Sequence, residues 1–460
     1  MPNKTLRFYR FEALLQQEDW LTPAFVGVDH QGIIRYVSNT PHPESPAIEA
    51  VMGYAIPGFQ NAHSHAFQYA MAGLAEIHPA GKADDFWSWR EAMYQCALLI
   101  GPEESQAIAA MLYAEMLRHG YTHVAEFHYI HHDKDGKPYA HLAEMGERMV
   151  MAAQSAGIKI TLIPVFYQQG GFGLDPQLRQ RRFISKSTDD YLRLLEASGK
   201  VIQSYPDALL GCSVHSLRAV NFADIARTLD LVPKELPFHI HVAEQQREVM
   251  DCLAFCGARP MQWLLENVPV DDRFHLVHAT HLDDNELNGI ISTKSNVVLC
   301  PSTEGNLGDG IFRMKEFAAK GGRWSVGTDS HIGLNPWEEF RMMDYRQRIT
   351  THHRNTFSGD AAKYLVAEEI TTGRKAMGIA NREFFALGQP FDALVLDSRT
   401  PLLAATSGKH ILSSMVYAGD SHMLAGTIVN GQWVVKKQEH IRLDAIRAEF
   451  ESTMRRLATR

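Results

Sequence analysis

The sequence predicts an α/β protein: a (β/α)8 TIM-type barrel inserted in a small β-sandwich domain formed by both chain ends. Three observations lead there. Eight short apolar runs follow one another between residues 54 and 331. Amphipathic stretches separate them. The residues before and after this region read instead as β structure with turns at Gly and Asp.

Residues 1–55 form the first half of the β domain. There, "AFVGVDHQGIIRYVS" reads as strand, turn at Asp29 to Gly32, and strand. Residues 56–380 form the barrel. Its eight runs are "YAIPGFQNAHSH", "THVAEFH", "KITLIPVFY", "LLGCSVHS", "PFHIHVAE", "FHLVHATH", "SNVVLCPSTE" and "RWSVGTDSH". Near-continuous apolar runs are what a parallel sheet covered on both faces requires. Between them, Glu103 to His119, His141 to Ala156, Thr188 to Ser204 and Pro336 to Thr350 repeat apolar residues at helical spacing. Residues 381–460 return to β structure. "FDALVLD", "ILSSMVYAG" and "AGTIVNGQWVVKK" are expected strands. Leu443, Ile446, Phe450, Met454 and Leu457, three to four apart, predict a docking helix at the end.

Composition narrows the partners. A net charge of -8 and a pI near 6.3 argue against nucleic acid and anionic membranes, while local arginines can still hold an anionic substrate. The N-terminal "MPNKTLRFYRFEALLQQEDW" has no signal-type apolar core, and no run reaches the roughly 18 apolar residues of a membrane span. Five cysteines (Cys96, Cys212, Cys252, Cys256 and Cys300) suit a reducing cytoplasm. Cys252 and Cys256 are expected to be buried helix cysteines rather than metal ligands.

Chemistry in such a barrel sits at the C-terminal ends of the strands. The first run ends in His63 and His65, two apart, so that both face one side of a strand. The fourth ends in His215; the fifth carries His239, His241 and then Glu244; the sixth ends in His278 with His281 beyond; the eighth ends in Asp329, Ser330 and His331. Neutral imidazoles plus a carboxylate suit zinc with one open position, and zinc lowers the pKa of a bound water to about 7. Fe2+ or Mn2+ can occupy similar donors. Asp329 can ligate and take a proton; Glu244 can carry protons as general acid/base. His239 belongs to a deeper layer and reads as core. The fourth run has no lysine that could be carboxylated to bridge two metals, so one ion per subunit is expected. The His-Glu-x-x-His and Pro-Cys-x-x-Cys signatures and a Walker loop are all missing. "GGFG" at 170–173, within a loop spanning 168–183, reads as a mobile pocket loop rather than a phosphate cradle.

"PGFQNAHSH", "HIHVAE", "LVHATHL" and "GTDSH", in this order with flanking β segments, resemble the amidohydrolase superfamily over essentially the whole chain. Within it, "NAHSHAFQYAMAGLAE", "FWSWREAMY", "VAEFHYIHHD", "HSLRAV", "HVAEQQREVMDCLAFCGARP" and "CPSTEGNLGDGIF" look most like the formimidoylglutamate deiminases. Gly305 and Thr328 are small departures from that pattern. The resemblance implies zinc on His63, His65, His241 and Asp329, with Glu244 and His278 beside the attacked carbon. It implies Gln68, Arg90, Tyr129, His215 and Arg218 as contacts to a small dicarboxylate substrate, whose carboxylates suit arginine forks. The reaction implied is hydrolytic deamination of a linear amidine in histidine degradation. A cytoplasmic homodimer is expected. Two alternatives stand beside it: a deaminase of a purine, pterin or other cyclic amidine, and a non-catalytic scaffold of the same fold. The arginines speak against the first, the complete ligand set against the second.

Overall fold

Eight parallel strands carry the site: Phe59–Ser64, Tyr121–His128, Lys159–Phe166, Cys212–Ser216, Phe238–Val242, Phe274–His278, Asn296–Leu299 and Arg323–Val326. Each lies in one of the eight apolar runs of the sequence. In the computed structural model, which describes residues 6–43, 47–76 and 85–458, each strand pairs with the next around the ring. A short strand, Ala208–Leu210, extends the fourth position and also pairs with Lys159–Phe166. The ring closes where Ser64 bridges Asp329 in parallel. There the backbone N–H groups of Thr328 and Asp329 donate to the His63 carbonyl at 3.1 and 3.0 Å. Gly327 permits this approach, because a Cβ at that position would stand 2.8 Å from the His63 backbone nitrogen.

Helices between the strands cover the barrel as their spacing predicts. Pro102–Arg118, Glu144–Ala156, Thr188–Val201 and Pro336–Thr351 match the four amphipathic stretches to within a few residues at each end. Phe59 at the barrel's base packs edge-on against Trp337 and Phe340, with ring centroids 5.1 and 5.6 Å away. Arg182, fully buried, donates to the carbonyls of Ala97, Ile100 and His132, and so ties the helix Phe86–Leu99 to the loop after the second strand.

The two chain ends meet in one nine-stranded sheet. Strand Ile48–Pro57 is the joint. It pairs in parallel with Arg7–Leu15 on one side and antiparallel with Ala393–Asp397 on the other. The strands Ala24–Val28 and Ile34–Ser38 pair antiparallel, as the turn between them requires. Leu424–Val429 and Gln432–Lys436 supply the expected C-terminal hairpin. The helix Leu443–Ala458 packs on Pro102–Arg118, and its Phe450 ring lies 5.8 Å from that of Tyr69.

One expected strand is a helix. "ILSSMVYAG" forms Ile411–Ala418, with Ile411, Leu412, Met415 and Val416 buried. Those positions are i, i+1, i+4 and i+5, a helical face, with two serines on the other side. The helix is held by Arg341, whose Nε donates to the Val416 carbonyl at 2.8 Å, and by Tyr417, whose hydroxyl donates to Asp344 at 2.7 Å. Among the described residues, no helix is long and apolar enough to cross a membrane.

Candidate active site

His63 and His65 leave the first strand side by side, and the fifth strand brings His241 to the same point. His63 Nε2 is 3.1 Å from His65 Nε2 and 3.1 Å from His241 Nε2. Asp329 Oδ1 completes the cluster, 3.2 Å from His65 Nε2 and 3.6 Å from His63 Nε2. All four residues are buried, and their ligand atoms lie within 4.8 Å of one another.

The outer ring nitrogens explain the inner ones. His65 Nδ1 donates to the Phe127 carbonyl and His241 Nδ1 to the His215 carbonyl, both at 2.9 Å. With Nδ1 protonated, a neutral ring turns the lone pair of Nε2 inward. Burial, then the neighbouring His65 ring, pulls His63 down to about 3. Burial and the neighbouring His63 hold His241 well below the ordinary histidine value. Burial pushes Asp329 up, but the neighbouring His63 and His65 rings outweigh it and hold the carboxyl well below its usual range. Inward lone pairs on neutral imidazoles beside an ionised carboxylate are a donor set that fits a divalent cation.

The backbone is strained at these positions. Ala243, His278, Asp329 and His331 have φ of 51°, 68°, 44° and 65°, in the left-handed region, where a non-glycine residue costs about 1–3 kcal/mol.

His278 Nε2 has no hydrogen-bond partner among the described residues and lies 3.6 Å from Glu244 Oε1 and 3.8 Å from Asp329 Oδ2. Its Nδ1 faces Glu304 Oε1 at 3.5 Å. Glu304 also accepts from the Cys300 backbone N–H at 2.9 Å and from Arg346 Nη1 at 3.2 Å. Burial pulls His278 down, yet Glu244, Glu304 and Asp329 raise it to about 10. These carboxylates favour the protonated form of the ring.

Arg218 is buried between two carboxylates. Its Nη1 donates to Glu248 Oε2 at 3.0 Å and its Nη2 to Glu244 Oε2 at 3.3 Å. Burial works against the charge, but Glu248 and Glu244 raise the guanidinium above its ordinary value. Arg90 is different: its guanidinium lies 4.3 Å over the Trp87 ring and has no carboxylate partner among the described residues. Gln68 Nε2 donates to the Tyr129 hydroxyl at 2.9 Å. The His215 ring stands 4.8 Å from that of His241.

One pocket joins these groups. Gln68, Arg90, Tyr129, His215 and Arg218 line it together with His65, His241, Glu244 and Asp329. His63 and His278 lie behind that lining, fully buried. His239 is core: its Nε2 faces the Ala376 carbonyl at 3.0 Å and its ring stacks on His275 at 4.6 Å. Cys252 and Cys256 share the helix Gln246–Cys256 with sulfurs 3.8 Å apart; Cys252 is buried and Cys256, expected to be, is exposed. Sequence reasoning missed Tyr94 and Tyr167 in the pocket wall, and Glu248 and Glu304 behind it. Tyr167 follows the third strand directly, so the rule that picked out strand-end histidines would have found it.

Residues 54–434 match the amidohydrolase family. The formimidoylglutamate deiminase of Pseudomonas aeruginosa is 43% identical over 435 residues, 93% of this chain and 94% of that protein. A 5-methylthioadenosine/S-adenosylhomocysteine deaminase of Pelotomaculum thermopropionicum is 24% identical over 88% of this chain and 86% of its own length. Among solved structures, an amidohydrolase from Brucella melitensis superposes with a TM-score of 0.92 at 38% identity, covering 98% of this chain and 100% of that one. An adenosine deaminase from Xanthomonas campestris with bound zinc, 21% identical, shares the fold with a TM-score of 0.81 over 98% of each chain. Barrel, strand-end cluster and full-length match agree: the chain belongs to the amidohydrolase family.

Proposed function

We propose that this protein hydrolyses N-formimidoyl-L-glutamate to N-formyl-L-glutamate and ammonia, a step of histidine degradation. The barrel, residues 56–380, is the catalytic unit; residues 1–55 and 381–460 are its supporting domain. One observation carries the choice of substrate. Arg90 brings a guanidinium with no carboxylate partner among the described residues into a pocket that also holds Arg218, metal-type ligands and a proton-carrying carboxylate. A linear amidine with two carboxylates fits that combination. The full-length likeness to a deiminase of this substrate supports it.

His63, His65, His241 and Asp329 would hold one zinc ion. When bound, the ion supplies Lewis acidity and makes hydroxide available at neutral pH. Asp329 takes one proton from the attacking water. Glu244, a carboxylate in the resting site, takes up a proton from the cationic amidinium as the substrate binds and gives it back to the imino nitrogen as oxygen adds to the carbon. His278, with its free Nε2, hydrogen-bonds the oxygen and offsets charge developing there. Asp329 then passes its proton to the new amino group, while Glu244 recovers one from the carbinol oxygen. The C–N bond breaks, ammonia leaves and the C=O of the formyl group forms. The ammonia takes that last proton from Glu244 and departs as ammonium, so both carboxylates end ionised, as they began. Gln68, Tyr129 and His215 position the amidine, and the arginines hold the carboxylates.

The aromatic wall of Phe86, Trp89, Tyr129 and Phe183 favours one second reading, deamination of a ring amidine. An arginine without a carboxylate partner among the described residues has no counterpart on an uncharged ring. The deciding assay is ammonia release from N-formimidoyl-L-glutamate by zinc-loaded protein beside a chelated control. Metal-dependent ammonia with N-formylglutamate formed is expected. A folded, metallated sample that releases none would overturn the substrate assignment. A cytoplasmic homodimer is proposed for the assembly, and sedimentation would test its subunit number.

A further inference from the structure

Glu304 is buried behind the pocket, in the short helix Pro301–Asn306 that follows the seventh strand. Its Oε1 accepts the backbone N–H of Cys300 at 2.9 Å, one of the donors that a helix start leaves without a partner. The same oxygen faces His278 Nδ1 at 3.5 Å. Its Oε2 accepts from Arg346 Nη1 at 3.2 Å, and Arg346 Nη2 donates to the Pro301 carbonyl. A helix cap alone needs neither the histidine nor the arginine. Here both carboxylate oxygens are held, and one of them is turned to the ring.

Among the described residues, no other hydrogen bond reaches the nitrogens of the His278 ring. Paired with Arg346, the Glu304 carboxylate only accepts, so Nδ1 carries a hydrogen whether the ring is neutral or charged. Nε2, on the far side of the ring, is then turned to the gap between Glu244 Oε1 and Asp329 Oδ2. Gly305 makes room for this arrangement. A Cβ at that position would overlap Arg346 Nη2. With glycine there, the guanidinium lies against the helix and bridges Pro301 and Glu304.

We infer that Glu304 is the positioning residue for His278, and that Arg346, admitted by Gly305, holds Glu304 in place. This rests on the role given to His278 above. Glu304 acts only through the ring: it fixes the proton on Nδ1 and the direction of Nε2, as a carboxylate behind a functional histidine does. Glutamine at 304 keeps the shape, but its one carbonyl oxygen cannot accept on both sides. Either the ring or Arg346 then loses its acceptor.

The test compares wild type with Glu304→Gln, Arg346→Met and Gly305→Ala, all zinc-loaded. Three readouts are taken: kinetics with N-formimidoyl-L-glutamate, calorimetric binding of N-formyl-L-glutamate, and the exchange-protected imidazole proton of His278 in spectra of histidine-labelled protein, identified by its loss in His278→Asn. Glu304→Gln is expected to lower kcat by about 10–100-fold while KM, product binding and zinc content stay as they are. Its His278 proton should shift or lose protection. Arg346→Met and Gly305→Ala should move kcat and the proton the same way by a smaller factor. A folded Glu304→Gln with unchanged kcat and an unchanged proton overturns the inference. So does a loss spread equally over kcat, KM and product binding with the proton unmoved, which would make Glu304 a helix cap alone. Should Glu304→Gln not fold, Gly305→Ala, which keeps the carboxylate and its cap, decides on the same readouts. A wild type that releases no ammonia from this compound, yet shows the protected proton and loses it in Glu304→Gln, sinks the substrate reading and supports the positioning.

Discussion

Arg218 Nη2 lies 3.3 Å from Glu244 Oε2, and 3.0 Å separates Arg218 Nη1 from Glu248 Oε2. One guanidinium thereby pairs with both the candidate proton carrier and a second carboxylate behind it. Glu248 also accepts the Glu244 backbone N–H at 3.2 Å, so the three residues fix one another.

Arg218→Met should therefore fail twice. It leaves the buried Glu248 carboxylate without a cation, a loss of about 3–5 kcal/mol in stability. It should also raise KM at least tenfold. Adding Glu248→Met should recover part of the melting temperature and none of the KM. A double variant that restores KM would show that Arg218 serves only to neutralise Glu248.

Glu244→Gln removes the proton carrier while keeping shape and the Glu248–Arg218 pair. Turnover should fall by a factor on the order of 10²–10⁴, with metal content unchanged. Metal analysis of the same preparation separates this from ligand loss. Near-normal turnover would remove Glu244 from the proton path.

Metal removal should destabilise the fold as well as stop turnover. Stripping the ion leaves inward lone pairs and the Asp329 carboxylate buried together. Zinc at 100 times its dissociation constant should add about 2.7 kcal/mol of stability. Thermal melts with and without zinc report this. His63→Asn should abolish the zinc-dependent shift; a shift of undiminished size would place the ion elsewhere.

Acid should destabilise the metal-free protein through histidines far from the cluster. Burial, assisted by Lys159, pulls His123 down to about 3, and its Nε2 shares a 2.9 Å hydrogen bond with Thr161 Oγ1. The folded value lies below the unfolded one of about 6.5, so between the two the unfolded chain binds a proton that the fold refuses. Stability is fully present above about 6.5 and is lost as pH falls toward 3. His123 alone accounts for about 1.4 kcal/mol by pH 5.5. Burial pulls His119 down likewise, to about 4. The chelated protein should melt several degrees lower at pH 5.5 than at 7.5, and His123→Gln should flatten that dependence. An unchanged slope would mean that His123 does not titrate between the two states.

The sequence by itself determined the barrel, the order of its strands and the residues at their ends. Those features are local: eight apolar runs set the strands, period-two alternation aims His63 and His65 together, and strand order then brings His241 and Asp329 to the same rim. Tertiary structure alone decided the rest. Whether "ILSSMVYAG" became a strand or a helix depended on which face its neighbours could bury, and Arg341 and Tyr417 favoured the helix. The partners of Arg218 lie 26 and 30 residues away, and those of Gln180, the hydroxyls of Tyr94 and Tyr167, lie 86 and 13 residues away. No local period encodes such pairings. They form because a charge or an amide buried by the fold must find a partner wherever the packed chain places one.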